Sequence, residues 1–132
     1  MADELLAAIG DCQQQDTILV VDDNDINRIV LSSMLEKFNF KADEAQHGRI
    51  AVEMAKAKPY DIIFMDLQMP YLDGIEATRQ ILDQTRVGQR PRIVALTANV
   101  SEDNRQKCLS VGMDGFISKP FSLIELQRAL EK

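Results

Sequence analysis

Strand and helix signals alternate five times along this chain without a break, and that alternation constrains its fold more than any other feature. Thr17-Ile18-Leu19-Val20-Val21 is an apolar, β-branched run, continuous rather than alternating, as expected of a strand covered on both faces. Asn24 or Asp25 can cap the helix that follows. In it Ile26, Ile29, Val30, Met34 and Phe38 recur at three- and four-residue intervals and predict one inward apolar face. Residues 40–44 read as a weaker edge strand. After a turn at His47-Gly48, a helix is expected over 50–58, with Ile50, Met54 and Ala57 on one side and Pro59 as its stop.

Ile62-Ile63-Phe64-Met65 is the next buried strand and carries Asp66 to its C-terminal end. Pro70, Asp73 and Gly74 turn the chain into a helix over 74–84, with Ile75, Thr78, Ile81 and Leu82 inward. Gly88 and Pro91 mark a loop before a strand over 92–97. Ser101 caps a charge-rich helix that Gly112 ends, and residues 115–118 form a short fifth strand. Ser122-Leu123-Ile124-Glu125 fits a capping box opening a last helix with Leu123, Leu126, Ala129 and Leu130 apolar. Each parallel crossover needs a helix and is right-handed, so the pattern predicts a doubly wound α/β domain with helices on both faces. The strand order 2-1-3-4-5, flavodoxin-like, is a common solution. It sets strands 1 and 3 side by side at the switch point where ligands bind.

Four of the five strands then end in a charge or a hydroxyl: Asp22-Asp23, Asp66, Thr97 and Lys119. A fondness of Asp for turns explains any one of these, but not the set. Carboxylates crowded together repel and raise each other's pKa unless a cation intervenes. An all-oxygen, open site suits Mg²⁺. Neither a Gly-rich anion loop, a Cys/His cluster nor a Ser-His-Asp arrangement is present, which leaves zinc sites and hydrolase triads unsupported. A metal, a lysine and a hydroxyl are the usual means of stabilising a transferring phosphoryl group, with Asp66 as a carboxylate nucleophile.

Val20-Val21-Asp22-Asp23, the segment 66–74, Ala95-Leu96-Thr97-Ala98 and Gly115-Phe116-Ile117-Ser118-Lys119-Pro120 together resemble the receiver domain of two-component response regulators. The segments 22–27, 96–99 and 112–116 are more similar to receivers of hybrid sensor histidine kinases than to those of transcriptional regulators. The resemblance covers residues 17–132 and leaves 1–16 as a linker or N-terminal tail, with Leu5, Leu6 and Ile9 able to form one amphipathic turn.

This resemblance implies a signalling phosphoacceptor rather than an enzyme, one that assists its own phosphorylation and dephosphorylation. Asp66 would accept a phosphoryl group from a histidine on a histidine kinase or histidine phosphotransfer domain. Mg²⁺, or Mn²⁺ in its place, would be held by the Asp23 and Asp66 carboxylates, by Asp22 through water and by the Gln68 main-chain carbonyl. Lys119 would pair with the phosphoryl group and Thr97 would donate to it. Phe116 would be an aromatic switch residue, Gln68 and Asn99 would set phosphoryl lifetime, and Lys119-Pro120 would be a cis peptide.

Composition narrows the partners. A formal net charge of −6 argues against a nucleic-acid surface. No apolar run exceeds five residues, which argues against membrane insertion, and the acidic N-terminus does not read as a signal peptide. Cys12 and Cys108 are expected to be reduced thiols, and the domain to be cytoplasmic, a monomer or a weak dimer. His47, the one histidine, reads as a solvated turn residue; Met65, Leu67 and Met69 read as packing. Asn27, Val30 and Leu31 could form a docking face, with core packing an equal alternative for Val30 and Leu31.

Two other readings have distinct requirements. A pseudo-receiver serving only as an interaction module would show a gap among the acidic pair, Thr97 or Lys119. An aspartate-nucleophile phosphatase would need an acid where Gln68 stands. The kinase, the stimulus and the output are not written in these residues.

Overall fold

A computed structural model describes residues 17–69, 72–85, 88, 90–98 and 101–131. Residues 1–16, with Cys12, and the expected roles of Pro70 and Asn99 lie outside the described residues. The elements run β1 (Ile18–Val21), α1 (Asp25–Lys37), β2 (Ala42–Ala45), α2 (Gly48–Ala57), β3 (Ile62–Asp66), α3 (Gly74–Gln84), β4 (Arg92–Thr97), α4 (Glu102–Val111), β5 (Gly115–Ser118) and α5 (Leu123–Leu130). All strand pairings are parallel, in the order β2-β1-β3-β4-β5, as the alternation predicts.

The sheet divides the core by the two-residue period of its strands. Leu19, Val21, Ile63, Met65, Ile93 and Ala95 face one cluster, closed by Ala51 and Val52 of α2, Ala77 and Ile81 of α3 and Cys108 of α4. Ile18, Val20, Ile62, Phe64, Val94, Leu96 and Ile117 face the other, closed by Leu31 and Leu35 of α1 and Leu126 of α5. Each fully buried side chain of this size stabilises the fold by about 1.5–3 kcal/mol against leaving it in water. Apolar runs that looked continuous in sequence are thus two interleaved faces, both covered.

Caps set the helix starts. Asn24 Oδ1 accepts from the N–H groups of Ile26 and Asn27 at 2.8 and 3.1 Å, which selects Asn24 over Asp25 as the cap of α1. Ser101 caps α4, and Gly112 closes it in the left-handed conformation with φ 101°. The capping box at α5 is only half formed. Ser122 Oγ accepts from Glu125 N at 3.4 Å, but the Glu125 carboxylate accepts from Ser118 Oγ, also at 3.4 Å.

Four expectations need correction. The inward face of α1 is Arg28, Leu31 and Leu35, with Met34 and Phe38 packed at its edge; Ile26 (69% exposed), Ile29 and Val30 face outward. This helix carries two apolar stripes, and only the position of β1 and β2 beneath it selects between them. Leu31 is therefore core rather than docking face. β2 lies two residues later than its apolar start suggests, because Ala42–Ala45 is what pairs with Ile18–Val21. His47 is the N-cap of α2, its Nδ1 accepting from Ile50 N at 3.4 Å, so α2 starts at Gly48. On α2, Ala57 is exposed, while Ala51 and Val52 are the side chains it buries.

Candidate functional site

Register brings the polar strand ends to one edge. Val21 pairs with Met65, so Asp22 stands level with Asp66. Asp66 pairs with Leu96 and Thr97 with Ser118, placing Lys119 one step beyond Thr97. Parallel strands all finish at the same side of the sheet, so four residues distant in sequence meet without any loop having to carry them.

Carboxylate oxygens of Asp22, Asp23 and Asp66 lie within 4.8 Å of one another. Asp22 and Asp66 are buried, at 1% and 2% exposure, whereas Asp23 is open to solvent. Lys119 reaches over them, its Nζ 3.1 Å from Asp66 Oδ1 and 3.2 Å from Asp22 Oδ2. Burial above all, and then the Asp22 charge, push the Asp66 carboxyl up to about 6; Lys119 and the Gln68 N–H act against them. Burial by itself would lower the pKa of Lys119, but the charges of Asp66 and Asp22 outweigh it and raise it.

One ammonium among three carboxylates leaves a surplus of negative charge. The buried Asp22 Oδ2 is met by the Lys119 ammonium at 3.2 Å and by no other donor among the described residues. An all-oxygen donor set, open on the Asp23 side, with a buried lone pair unsatisfied, fits a hard divalent cation.

The loops shape this edge. Asp22 Oδ1 accepts from Asn24 N at 2.9 Å, holding the β1–α1 turn. Asp66 Oδ1 also accepts from Gln68 N at 3.2 Å, while the Gln68 side chain is exposed. Gly74 N bonds the Leu67 carbonyl, and a Cβ at Gly74 would stand 2.1 Å from the Asp66 carbonyl oxygen. Glycine is required there by close approach, a demand the turn signal in the sequence did not reveal.

Thr97 is buried at the end of β4, and its carbonyl accepts from Lys119 N at 2.9 Å. The Lys119–Pro120 peptide bond is cis. Phe116, paired with Ala95, is half-buried against the α2/α3/α4 side of the core, and the Arg105 guanidinium lies 5.6 Å from its ring centroid. Two cations had no place in the sequence reading: Arg105 over Phe116, and Arg28, buried beneath α1. Their partners lie in other elements, so no local spacing announces them.

Comparison with known proteins places the fold in a family. The family model described as the response regulator receiver domain matches residues 18–131, and the chain belongs to that family. Over 120 residues it is 39% identical to hybrid signal transduction histidine kinase L of Dictyostelium discoideum, covering 87% of this chain and 7% of that protein. It also matches Candida albicans histidine protein kinase 1 and Escherichia coli ArcB, and spans 5% and 15% of their lengths. Among solved structures it is similar to the receiver domain of sensor histidine kinase PA1611 from Pseudomonas aeruginosa, which has magnesium coordinated in its active-site cleft. The two are 41% identical with a TM-score of 0.80, over 88% of this chain and 94% of that one. It is also similar, at 35% identity and a TM-score of 0.80, to the receiver domain of Saccharomyces cerevisiae Ssk1, solved with the histidine phosphotransfer protein Ypd1. That match covers 89% of this chain and 87% of the other. Among the described residues no helix is long and apolar enough to cross a membrane.

Proposed function

We propose that this domain is a Mg²⁺-dependent phosphoacceptor in a histidine-to-aspartate relay, with Asp66 as the acceptor. The observation that carries the reading is the Lys119 ammonium bridging Asp66 and Asp22 inside a three-carboxylate cluster. An Asp66 oxygen attacks phosphorus, forming an O–P bond. The N–P bond of a partner's phosphohistidine breaks, and its electron pair returns to the imidazole nitrogen, which takes up a proton. Asp66 Oδ1 is engaged by Lys119 and Gln68 N–H, which leaves Oδ2 as the oxygen not held by either. Asp23 and Asp66 would hold Mg²⁺ through their carboxylates, Asp22 through water and Gln68 through its main-chain carbonyl, and the ion would supply positive charge to the transferring phosphoryl oxygens. Lys119 shifts from its carboxylate partners to the phosphoryl group, and Thr97 donates its hydroxyl to it.

The switch reading assigns Thr97 and Phe116 to signal output, and Gln68 and Asn99 to control of water access. Support for a histidine-bearing partner comes from the similarity to Ssk1, crystallised with Ypd1, and from the outward Ile26, Ile29 and Val30 beside the acidic loop. Such an apolar strip on a helix next to the acceptor suits a partner helix. The relatives' architecture supports a place within or beside a hybrid kinase.

The test uses acetyl phosphate and Mg²⁺ with intact-mass detection. The wild type is expected to gain one phosphoryl group and Asp66→Asn none. An unchanged wild-type mass despite calorimetrically demonstrated Mg²⁺ binding would overturn the reading in favour of a non-phosphorylated interaction module.

A further inference from the structure

Arg28 is 7% exposed, an unusual depth for a guanidinium. Its three nitrogens go to three places. Nη1 donates to the Asp22 carbonyl at 2.7 Å, Nε to Glu44 Oε1 at 3.2 Å on the edge strand, and Nη2 to Asp25 at the start of α1. Ser32 Oγ, one helical turn on, donates to the other Glu44 oxygen at 3.2 Å and so holds the carboxylate that orients the fork. Burying such a pair is no gain in stability by itself, because desolvation opposes the Coulomb attraction; an apolar side chain would pack there at less cost. What the arginine does that an apolar residue could not is hold a carbonyl.

That carbonyl is the one that matters for the acidic loop. β1 ends at Val21, so the Asp22 carbonyl lies past its strand, while Asp22 N donates to Ala45 O at 3.2 Å. The peptide unit is planar, so the direction of the Asp22 carbonyl sets the direction of the Asp23 N–H and the placement of the Asp23 Cα. Asp22 is fixed through its side chain as well, by Asn24 N. Asp23 is the exposed member of the cluster. Its approach to Asp66 depends on the peptide plane that Arg28 holds.

We propose that Arg28 is a positioning residue for the metal-binding loop: by clamping the Asp22 carbonyl, with Glu44 orienting the clamp, it presets the Asp23 carboxylate for the cation. The inference rests on the reading of Asp22, Asp23 and Asp66 as a Mg²⁺ site. Partners one shell out from metal ligands typically change affinity by about 10–100-fold when removed. Arg28→Lys keeps the charge but loses the fork, and one ammonium cannot span a carbonyl and two carboxylates. Glu44→Ala removes the orienting carboxylate at a half-exposed edge position, leaving the fold's core untouched.

Mg²⁺ affinity is measured by isothermal titration calorimetry, and the melting temperature in EDTA separately. Arg28→Lys is expected to weaken Mg²⁺ by about tenfold and Glu44→Ala by less, and the melting temperature in EDTA reads any loss of stability separately from the loss of affinity. In nitrogen–proton correlation spectra of the metal-free protein the Asp23 amide is expected to shift in both variants, a signature that general loss of packing would not confine to that loop. Unchanged affinity and an unshifted Asp23 amide in folded Arg28→Lys would overturn the assignment. If Arg28→Lys does not fold, Glu44→Ala decides in the same way. A wild type that binds no Mg²⁺ would refute both the inference and the functional reading; a wild type that binds it beside an unaffected variant refutes the inference alone.

Discussion

The Lys119 ammonium sits 3.1 Å from Oδ1 of Asp66, joining the end of β5 to the end of β3 across the end of β4. In this arrangement Lys119 restrains an acid that burial and Asp22 drive toward protonation. Lys119→Met is therefore expected to raise the Asp66 pKa further above about 6. It should also slow phosphoryl transfer from acetyl phosphate by about 10²–10³-fold, in line with loss of one preorganised charge donor. Carbonyl-carbon NMR titration reads the first effect and timed intact-mass analysis the second.

Asp66 also makes a pH prediction. Its folded pKa lies above the ordinary aspartate value of 3.8, so the native state holds this proton more tightly than the unfolded chain. Stability from this group is highest below about 3.8, falls as pH rises through the interval to about 6, and is lowest above it. Asp66→Asn has no such penalty. In EDTA its melting temperature should exceed that of wild type at pH 7, with the gap closing as pH is lowered toward 4. Mg²⁺ should narrow the gap at pH 7, because it stabilises only the charged carboxylate cluster.

Gly74→Ala tests the close approach of the β3–α3 turn. A Cβ 2.1 Å from the Asp66 carbonyl oxygen forces backbone to move rather than a side chain to turn. The expected cost is about 1–3 kcal/mol in urea unfolding. Because the displaced carbonyl belongs to the acceptor residue, weaker Mg²⁺ binding in calorimetry is expected alongside it.

The two stripes of α1 are separable by paired substitutions. Leu31→Ala opens space in the core and should cost about 2–5 kcal/mol. Ile29→Ala, on the outward stripe, should change stability by no more than about 0.5 kcal/mol. It should instead slow phosphoryl exchange with a histidine phosphotransfer domain, while transfer from acetyl phosphate stays at the wild-type rate.

Much of the fold was legible because its signals are local. Continuous apolar runs such as 18–21 and 62–65, punctuated by Asn24, Gly74, Ser101, Gly112 and Ser122, suffice to set element type and a parallel, doubly wound sheet, for which the observed order is a common solution. The convergence of Asp22, Asp66 and Lys119 followed, since each closes a strand of a parallel sheet. Ile26, Ile29 and Val30 misled because their spacing is as helical as that of Leu31 and Leu35. Hydrophobic periodicity identifies a stripe but cannot say which of two meets the sheet.

What the sequence by itself determined was the set of elements, their parallel alternation and the residues delivered to the C-terminal edge of the sheet. The physical cause in each case is a preference acting over a few residues: β-branching, capping, turn geometry, and the period of the pattern. Tertiary structure alone decided the inward face of α1, the glycine demand at residue 74, and the reach of Arg28 to the Asp22 carbonyl and Glu44. Those depend on distances between segments far apart in the chain. Packing and the desolvation of a buried charge exist only once the chain has brought those segments together.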